Sequence, residues 1–351
     1  MIAIDQIPPP REIETARVRH LPDAMKEYGD GKRQPGRDEL KGYDVAKKPR
    51  WEHQWGKCAY CDRYYALEEQ PTEHFRPELG EYAYWWLAWD WENLLFSCIT
   101  CNGRSAKGTR FPLEAGSERL SIGEKPPGRE RPILINPYLE DPGEQIWFEK
   151  DPAGRWVPTG TERGKKVVEI LGLSRYGDKY TDFVRGSLEP RIQEVKDAMS
   201  RSRPAEAKKL WNTMLERFYH QEHDWRALTY SVLTHEFPES VRVTWGLDLE
   251  APRTTARPMS PEQEHEWKLL SALPDVVRDK VYALGRRAPS PSWEDALEAI
   301  LRHRSPMRMS ELVVLCGSSK ATVLEHLQGF MTAGQVTVSG QGQVATVAWN
   351  P

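Results

Sequence analysis

The chain has little cysteine, no long apolar run and no excess of either charge. Its 5 cysteines among 351 residues are too few for a disulfide scaffold, which argues against a secreted, cystine-stabilised protein. No apolar run reaches the roughly 18 residues of a membrane span. The start, MIAIDQIPPPREIE, lacks the basic and apolar regions of a secretion signal. We therefore expect a cytoplasmic protein that does not contact a membrane.

The charge balance also limits the expected partners. The chain has 49 Lys and Arg against 52 Asp and Glu, a net charge of −3. Such a protein has no global basic field to attract nucleic acid, so any contact of this kind must come from local patches. The length predicts two or three compact units, and 39% hydrophobic residues are enough for their cores.

Four of the five cysteines form two C-x2-C pairs, Cys58 with Cys61 and Cys98 with Cys101. Two such pairs, a few tens of residues apart, can supply four thiolates to one tetrahedral zinc ion. In small units, zinc ligation contributes roughly 10–16 kcal/mol of apparent folding free energy. The spacing therefore predicts a closed structural zinc site. We favour it over four buried cysteines without a metal, and Cys316 stands apart from it.

Polar residues between and beside these pairs form a second pattern: Glu73-His74, Asn93-Leu94 and Asn102. Together with the cysteines, and in this order, they resemble the ββα-metal HNH endonuclease superfamily in its zinc-knuckle form. More narrowly, EHFRP, the aromatic run ending in WENLL, SC-x2-CN, a nearby Lys-Gly, FPL and NPY resemble the HNH subunits of Septu-type and retron-associated anti-phage systems. The narrower resemblance covers roughly residues 1–190, the size of a single domain. It does not account for the C-terminal part.

The resemblance assigns chemical roles that suit these residue types. Hydrolysis of a phosphodiester needs a base for water, and a neutral histidine can take that proton near pH 7, so His74 is the candidate general base. Glu73 and Asn102 offer the oxygen ligands that a catalytic Mg²⁺ prefers. In the resembling family, the residue at Asn93 orients the loop that carries the base and is not a metal ligand. Asn102 stands where the name HNH has its final His, which favours Mg²⁺ or Mn²⁺ over zinc at the catalytic site.

A short basic segment follows the second cysteine pair. Arg104, Lys107 and Arg110 occur there without an acid, which makes the segment the best local patch for a backbone phosphate. An ordinary solvated helix face is an equal alternative. The lysine that follows the last cysteine pair in the resembling family stands one residue further along here, as Lys107.

Four tryptophans lie close together between the two cysteine pairs. They could stack on bases, as aromatic residues of single-strand binders do, or they could pack the segment onto the zinc knuckle and the helices beyond it. We favour the packing role. These residues are Trp85, Trp86, Trp89 and Trp91.

Composition along the chain predicts an α+β, mostly helical fold in four segments. Residues 1–50 are expected to form an N-terminal arm with a helix around 11–28. By the resemblance, residues 51–115 would form the HNH nuclease domain with its four-cysteine zinc knuckle. Residues 116–255 would form a helical accessory region that begins with a small hairpin, and residues 266–351 a winged-helix-like domain.

The winged-helix expectation rests on the order of elements near the C-terminus. Three stretches with helical spacing, the third capped by Ser319, precede VTVSGQGQVATVAW, which alternates about a glycine turn as a hairpin does. Three helices followed by a hairpin is the order of a winged helix. Its third helix offers Lys320 and His326 against Glu325, so we favour protein docking slightly over DNA readout.

These patterns together predict a zinc-stabilised HNH endonuclease that needs Mg²⁺ or Mn²⁺ and cleaves nucleic acid, DNA before RNA. The resemblance implies an effector of a bacterial anti-phage system that is gated by a partner ATPase. Two alternatives stay open: a zinc-knuckle and winged-helix DNA-binding regulator with an inactive HNH site, and an RNA-cleaving HNH toxin. The oligomeric state also stays open, with a homodimer as one option.

Overall fold

The computed structural model describes residues 1–68, 70–284, 290–341 and 344–350. About half of the chain is helical and its sheets are small, which confirms the α+β class. None of the described helices is long and apolar enough to cross a membrane.

The helices are α1 Arg11–Tyr28, α2 Lys47–His53, α3 Ile99–Asn102, α4 Glu162–Leu171, α5 Gly177–Phe183, α6 Glu189–Ser200, α7 Pro204–Phe218, α8 Arg226–Glu236, α9 Glu239–Trp245, α10 Pro261–Ser271, α11 Asp275–Ala283, α12 Ser290–His303, α13 Met309–Cys316 and α14 Lys320–Thr332. The strands are β1 Ala3–Ile4, β2 Thr72–His74, β3 Leu94–Phe96, β4 Ile146–Lys150, β5 Trp156–Gly160, β6 Arg253–Thr254, β7 Met307–Arg308, β8 Val336–Ser339 and β9 Thr346–Trp349.

Contacts between residues divide the chain into two compact units. The first comprises residues 1–7 and 27–257, and the second comprises residues 8–26 and 258–351. This division is coarser than the four expected segments, whose individual bounds stay a prediction. The helix expected around residues 11–28 is confirmed as α1. Most of it belongs to the second unit, and not to the segment that follows it in the chain.

The part of the first unit around the cysteines has the order strand, strand, helix. β2 and β3 pair antiparallel, with Thr72 opposite Phe96 and His74 opposite Leu94. The run Leu-Leu-Phe forms a strand that is buried on both faces, as a short continuous apolar run predicts. α3 follows directly and carries the second cysteine pair. The chain between β2 and β3 holds the tryptophans in two short 3-10 turns, Trp85–Leu87 and Trp91–Asn93.

The remainder of the first unit is a hairpin followed by helices, as expected. β4 and β5 pair antiparallel from Ile146 opposite Gly160 to Lys150 opposite Trp156. Helices α4 to α9 follow, and β1 pairs in parallel with β6. The local sequence sets the bounds of α4: the Thr161 side chain accepts a hydrogen bond from the backbone N–H of Gly164, and the helix ends at a left-handed glycine.

The second unit packs α10 to α14 and part of α1 around one apolar core. A three-stranded antiparallel sheet of order β7-β9-β8 completes it. Ser319 caps α14 as expected, since its side chain accepts from the backbone N–H of Thr322. β8 and β9 form the expected hairpin, although residues 342 and 343 of its turn lie outside the described residues. Identity with a winged helix stays a prediction. Central core residues are Leu297, Ile300, Leu312, Leu327 and Val347.

Candidate metal centre and active site

The four paired cysteines come together in one buried cluster. Their sulfur atoms all lie within 4.8 Å of one another, and Cys61 Sγ lies 3.9 Å from Cys98 Sγ. With Zn–S bonds of about 2.3 Å, the edge of a tetrahedral site is about 3.8 Å, so this spacing fits a zinc ion. The prediction that these residues form one closed donor set is confirmed. The cluster could hold a structural metal such as zinc.

Local backbone geometry shapes each half of the cluster. In the second pair, the backbone N–H of Cys101 donates both to the carbonyl of Cys98 and, at 3.4 Å, to its sulfur. In the first pair, the N–H of Asp62 donates to the carbonyl of Cys58, and Asp62 takes a left-handed φ of 56°. The N–H of Ala59 donates to the carbonyl of Phe96 in β3, which joins the first pair to the strand before the second.

The sulfur atoms perturb one another strongly. Hydrogen bonds from the neighbouring thiols, Cys101 first, hold the pKa of Cys98 far below its usual range. Burial raises the pKa of Cys61 well above its usual range. Four thiolates at this spacing repel one another in a buried site, so all four can be ionised only around a cation.

Glu73 lies on β2 before His74, and its carboxylate faces an internal lysine. Lys107 Nζ lies 2.7 Å from Glu73 Oε1 and also donates to the carbonyl of His74 at 2.7 Å. The Tyr60 hydroxyl donates to the same Oε1 at 2.9 Å. Glu73 and Lys107 are each about 1% exposed. Burial raises the pKa of Glu73, against the opposing charge of Lys107.

This ion pair bears on two expected roles. Lys107 is buried and its ammonium is occupied by protein oxygens, so its placement does not suit contact with a backbone phosphate. Glu73 is likewise occupied, and Asn102 lies half-buried at the end of α3. The pair Glu73 and Asn102 therefore does not fit an open Mg²⁺ site in this arrangement, because Lys107 holds the carboxylate that the ion would need.

His74 ends β2 and is buried with both ring nitrogens satisfied. Nε2 lies 3.0 Å from the carbonyl oxygen of Ala88, and Nδ1 lies 3.0 Å from Glu78 Oε2. The Tyr43 ring meets the imidazole edge-on at 4.6 Å. Burial alone would raise the pKa of Glu78, but the charge of His74 and its hydrogen bond outweigh burial and lower the pKa to about 2.

Glu78 is a site residue that sequence reasoning missed. It lies four residues after His74, but outside any helix, so no rule of helical spacing pairs the two residues. The contact depends on the path of the loop after β2. A carboxylate close in sequence to the candidate base was the only available signal.

Asn93 holds the loop that follows β2 through its side-chain amide. Its side-chain N–H groups donate to the carbonyls of Arg76 at 3.0 Å and Leu87 at 3.2 Å, and its Oδ1 accepts from the backbone N–H of Arg76 at 2.8 Å. The amide thus ties the chain just after His74 to the tryptophan segment. Its functional role stays a prediction.

The remaining parts of the EHFRP and FPL motifs pack together behind β2. The Phe75 ring lies 5.3 Å from the Phe111 ring, edge to face. Arg76 Nε lies 2.6 Å from Glu130 Oε2, and both side chains are buried. A buried ion pair of this kind depends on both partners, because removing one leaves an uncompensated charge. These contacts hold the loop that follows the candidate base.

The tryptophans are part of the core, which confirms the packing role. Trp85 and Trp89 are each 1% exposed. The guanidinium of Arg50 lies over the Trp91 ring, 3.3 Å from its centroid, and 4.2 Å from the centroid of Tyr138 in the NPY motif. Motifs that are far apart in sequence thus meet around one buried arginine.

The basic segment after α3 is partly used for internal contacts. Arg110 is exposed, but its guanidinium donates to the carbonyl of Ile170 at 2.9 Å. From the other side, Arg175 donates to the carbonyl of Thr100 at 3.2 Å. These bonds tie the knuckle helix to the end of α4. Arg104 is exposed on the same segment.

A buried ion pair that the sequence did not predict anchors the first cysteine pair. Lys57 Nζ lies 2.7 Å from Asp62 Oδ1, and both side chains are nearly inaccessible. Lys57 also donates to the carbonyl of His223, and Asp62 Oδ2 accepts from the backbone N–H of Arg226 at 2.7 Å. The pair connects the knuckle to the start of α8. Its sequence signal is two opposite charges that flank Cys-x2-Cys.

Comparison with known proteins finds similarity over about a third of the chain. Over 131 residues it is 36% identical to Septu protein PtuB of Bacillus mycoides (strain KBAB4), covering 34% of this chain and 43% of PtuB. Over 130 residues it is 27% identical to Septu protein PtuA of the same organism, covering 34% of this chain and 18% of PtuA. The chain thus spans less than half the length of these relatives. No protein-family model and no solved structure matches it.

Proposed function

We propose that the chain is a zinc-stabilised HNH endonuclease that cleaves a nucleic acid backbone, duplex DNA before RNA, in an anti-phage defence system. The observation that carries the proposal is the placement of His74 at the end of β2, in the strand, strand, helix unit that also holds the four-cysteine cluster. Homology with Septu proteins over a third of the chain supports the defence role.

The contacts of His74 select one of its nitrogens as the base. A carbonyl oxygen only accepts hydrogen bonds, so the contact with Ala88 places the proton of a neutral ring on Nε2. Nδ1 carries a proton while the Glu78 carboxylate accepts from it. Once that contact is broken and the proton has passed to solvent, Nδ1 carries the lone pair and takes a proton from water. As the O–H bond of water breaks, its oxygen forms the new bond to phosphorus, the bond to the leaving oxygen breaks, and that oxygen takes a proton from solvent. Asn93 keeps the loop after His74 in place during this step.

The cysteine cluster has a structural role in this proposal. It holds β3 and α3 against the loop of the first pair, so it sets the position of β2 through the strand pairing. The Mg²⁺ or Mn²⁺ requirement stays part of the proposal as a condition to be tested. No step is assigned to such an ion, because Lys107 occupies the carboxylate of Glu73.

We further propose a partner ATPase that gates the nuclease, with the winged-helix-like second unit as its docking element, in the cytoplasm. Two Septu proteins of different names share similarity with this chain, which supports a system of more than one component. Co-purification of the chain with the ATPase encoded beside it, lost on deletion of residues 258–351, is the expected result.

Substitution of His74 by Ala tests the nuclease. We expect plasmid nicking per folded molecule to fall by about 10²–10⁴ while zinc content and DNA binding of the folded protein stay nearly unchanged. The melting temperature should fall, because Glu78 loses its partner. The assay should be run with Mg²⁺, with Mn²⁺ and with a chelator, on plasmid DNA and on RNA, because these arms also decide the metal and the substrate. Cleavage by the variant at the wild-type rate would overturn the proposal.

A matched control separates catalysis from folding. His53 is also buried in the first unit, 3% exposed, and stacks on Tyr138 at 5.5 Å. His53→Ala should lower stability but retain cleavage per folded molecule. If His74→Ala instead lost activity only in proportion to unfolding, as His53→Ala is expected to do, His74 would be a structural histidine.

A second candidate function is a nucleic-acid-binding regulator with an inactive site. The observation that favours it is that Glu73 and His74 are both engaged by neighbouring side chains. This candidate predicts DNA binding without cleavage in any of the metal conditions above. Retained binding and absent cleavage in the wild-type protein would support it.

A further inference from the structure

The contact between Glu78 and His74 has a consequence for how the proposed base becomes active. On the proposed nuclease function, His74 is the general base. Both ring nitrogens of His74 face acceptors, the Ala88 carbonyl at Nε2 and the Glu78 carboxylate at Nδ1. A base needs one nitrogen with an accessible lone pair. In this arrangement neither nitrogen of His74 is open to water.

The two acceptors differ in how easily they can leave. The Ala88 carbonyl is part of the backbone at a fully buried position, whose own N–H donates to the carbonyl of Trp85 at 3.1 Å. It cannot move without disturbing the tryptophan core. Glu78 is a side chain in a loop, with 18% of its surface exposed, so rotation about its own bonds is enough to carry the carboxylate towards solvent.

The surroundings of the ring leave the Nδ1 side as the approach for water. The Tyr43 ring lies against the imidazole, and Lys107 donates to the carbonyl of His74 from the neighbouring segment. Glu73 points to Lys107 and Tyr60. The partly exposed Glu78 therefore stands at the position from which a water molecule would reach Nδ1.

We propose that Glu78 gates the candidate base: its carboxylate accepts a hydrogen bond from Nδ1 of His74 at the water position. Before cleavage the carboxylate has to swing away and the Nδ1 proton has to pass to solvent, which leaves the lone pair that the base needs. A phosphate that enters the site repels this carboxylate, since both are negative, and so favours the open position. Glu78 is a positioning residue in this account, because it acts through His74 and touches no reacting atom during the reaction.

The contact itself is tested by NMR without any cleavage. Protein labelled with ¹⁵N at histidine shows the ring nitrogens, and the spectrum of His74→Ala assigns those of residue 74. We expect Glu78→Ala to move the Nδ1 signal of His74. Glu81→Ala, which removes an exposed carboxylate from the same loop, should leave it in place. An unchanged Nδ1 signal in Glu78→Ala would overturn the gate.

The effect on rate is tested by single-turnover nicking of plasmid DNA. Because a charge-assisted hydrogen bond has to break, we expect Glu78→Ala to cleave about tenfold faster than wild type, the factor that corresponds to about 1.4 kcal/mol. Glu78→Gln keeps the size and a weaker contact, so its increase should be smaller, and Glu81→Ala should match wild type.

The outcomes separate failure of the gate from failure of the proposed function. If the wild type cleaves and Glu78→Ala is slower per folded molecule, the carboxylate is needed in the reaction and the gate is wrong. If the wild type cleaves and Glu78→Ala matches it, Glu78 does not restrain the base. If no form cleaves any substrate with any metal, the nuclease proposal itself fails.

Discussion

The candidate site has two halves, the four-cysteine cluster and the charged group around His74 at the end of β2. They balance their charges in different ways. The cysteine cluster brings four sulfur donors within 4.8 Å, and such a set is complete only around a cation. On β2 and in the loop after it, by contrast, Glu73 and Glu78 each have a partner within the chain, Lys107 and His74 respectively. Donor geometry therefore implies a metal in the first half. In the second half, an ion would have to compete with a lysine that is already in place.

The largest expected effect is loss of a cysteine ligand. Cys98→Ser should abolish metal binding and unfold the first unit, because zinc ligation contributes on the order of 10–16 kcal/mol in small units. Elemental analysis and thermal unfolding measure both effects. Cys316→Ser is the matched control, since this buried cysteine belongs to the core of the second unit and should leave the metal content unchanged. A stable, metal-free Cys98→Ser protein would remove the contrast between the two halves.

Removal of Lys107 tests whether the buried ion pair between Glu73 and Lys107 stabilises the second half. Lys107→Met should lower the free energy of unfolding by about 3–5 kcal/mol, because it leaves the buried carboxylate of Glu73 without a counter-charge. Lys165→Met serves as control: its pair with Glu162 is exposed, so its loss should leave the denaturation midpoint nearly unchanged. Equal denaturation midpoints for the two variants would show that the Glu73 pair is not needed.

Acid should weaken the second half through Glu78. Its folded pKa is lowered from 4.5 to about 2, so its stabilisation is complete above about pH 4.5 and is lost as the pH falls towards 2. The full contribution is about 3 kcal/mol. The difference in unfolding free energy between wild type and Glu78→Gln should shrink over this window, while effects of acid on the cysteine cluster cancel in the difference. Parallel curves for the two proteins would contradict the assignment.

The smallest expected effect on the free energy of unfolding comes from Asn93, whose side chain ties down the loop after β2. Asn93→Ala removes three hydrogen bonds to buried backbone groups and should cost about 2 kcal/mol of unfolding free energy. Asn102→Ala, at a half-buried position, should change it by less than about 0.5 kcal/mol. Chemical denaturation measures both variants. If Asn102→Ala were the more damaging substitution, the assignment of Asn93 as the tie of the loop would be wrong.

Local chemistry made part of this site predictable. The cysteine pairs are short motifs whose spacing already fixes which atoms can converge, and the helix bounds follow from Thr161, Ser319 and a left-handed glycine. The contacts of Glu78 and Lys57 were not predictable in this way. Each contact depends on the path of a loop in the folded chain. The residue type alone does not show whether a charged side chain will be buried or exposed.

The sequence by itself determined the donor set of the metal centre, the helix over residues 11–28 and the Ser319 cap of α14, because these depend on spacing and on neighbours along the chain. Only the tertiary structure decided that α1 belongs mainly to the second unit, that Lys107 is internal, and that Glu78 covers His74. An amphipathic helix can be buried by any apolar core. Likewise, a buried charged side chain pairs with whichever opposite charge the fold places beside it. The burial of α1 and the pairing of Lys107 and Glu78 therefore depend on long-range packing, which no local pattern encodes.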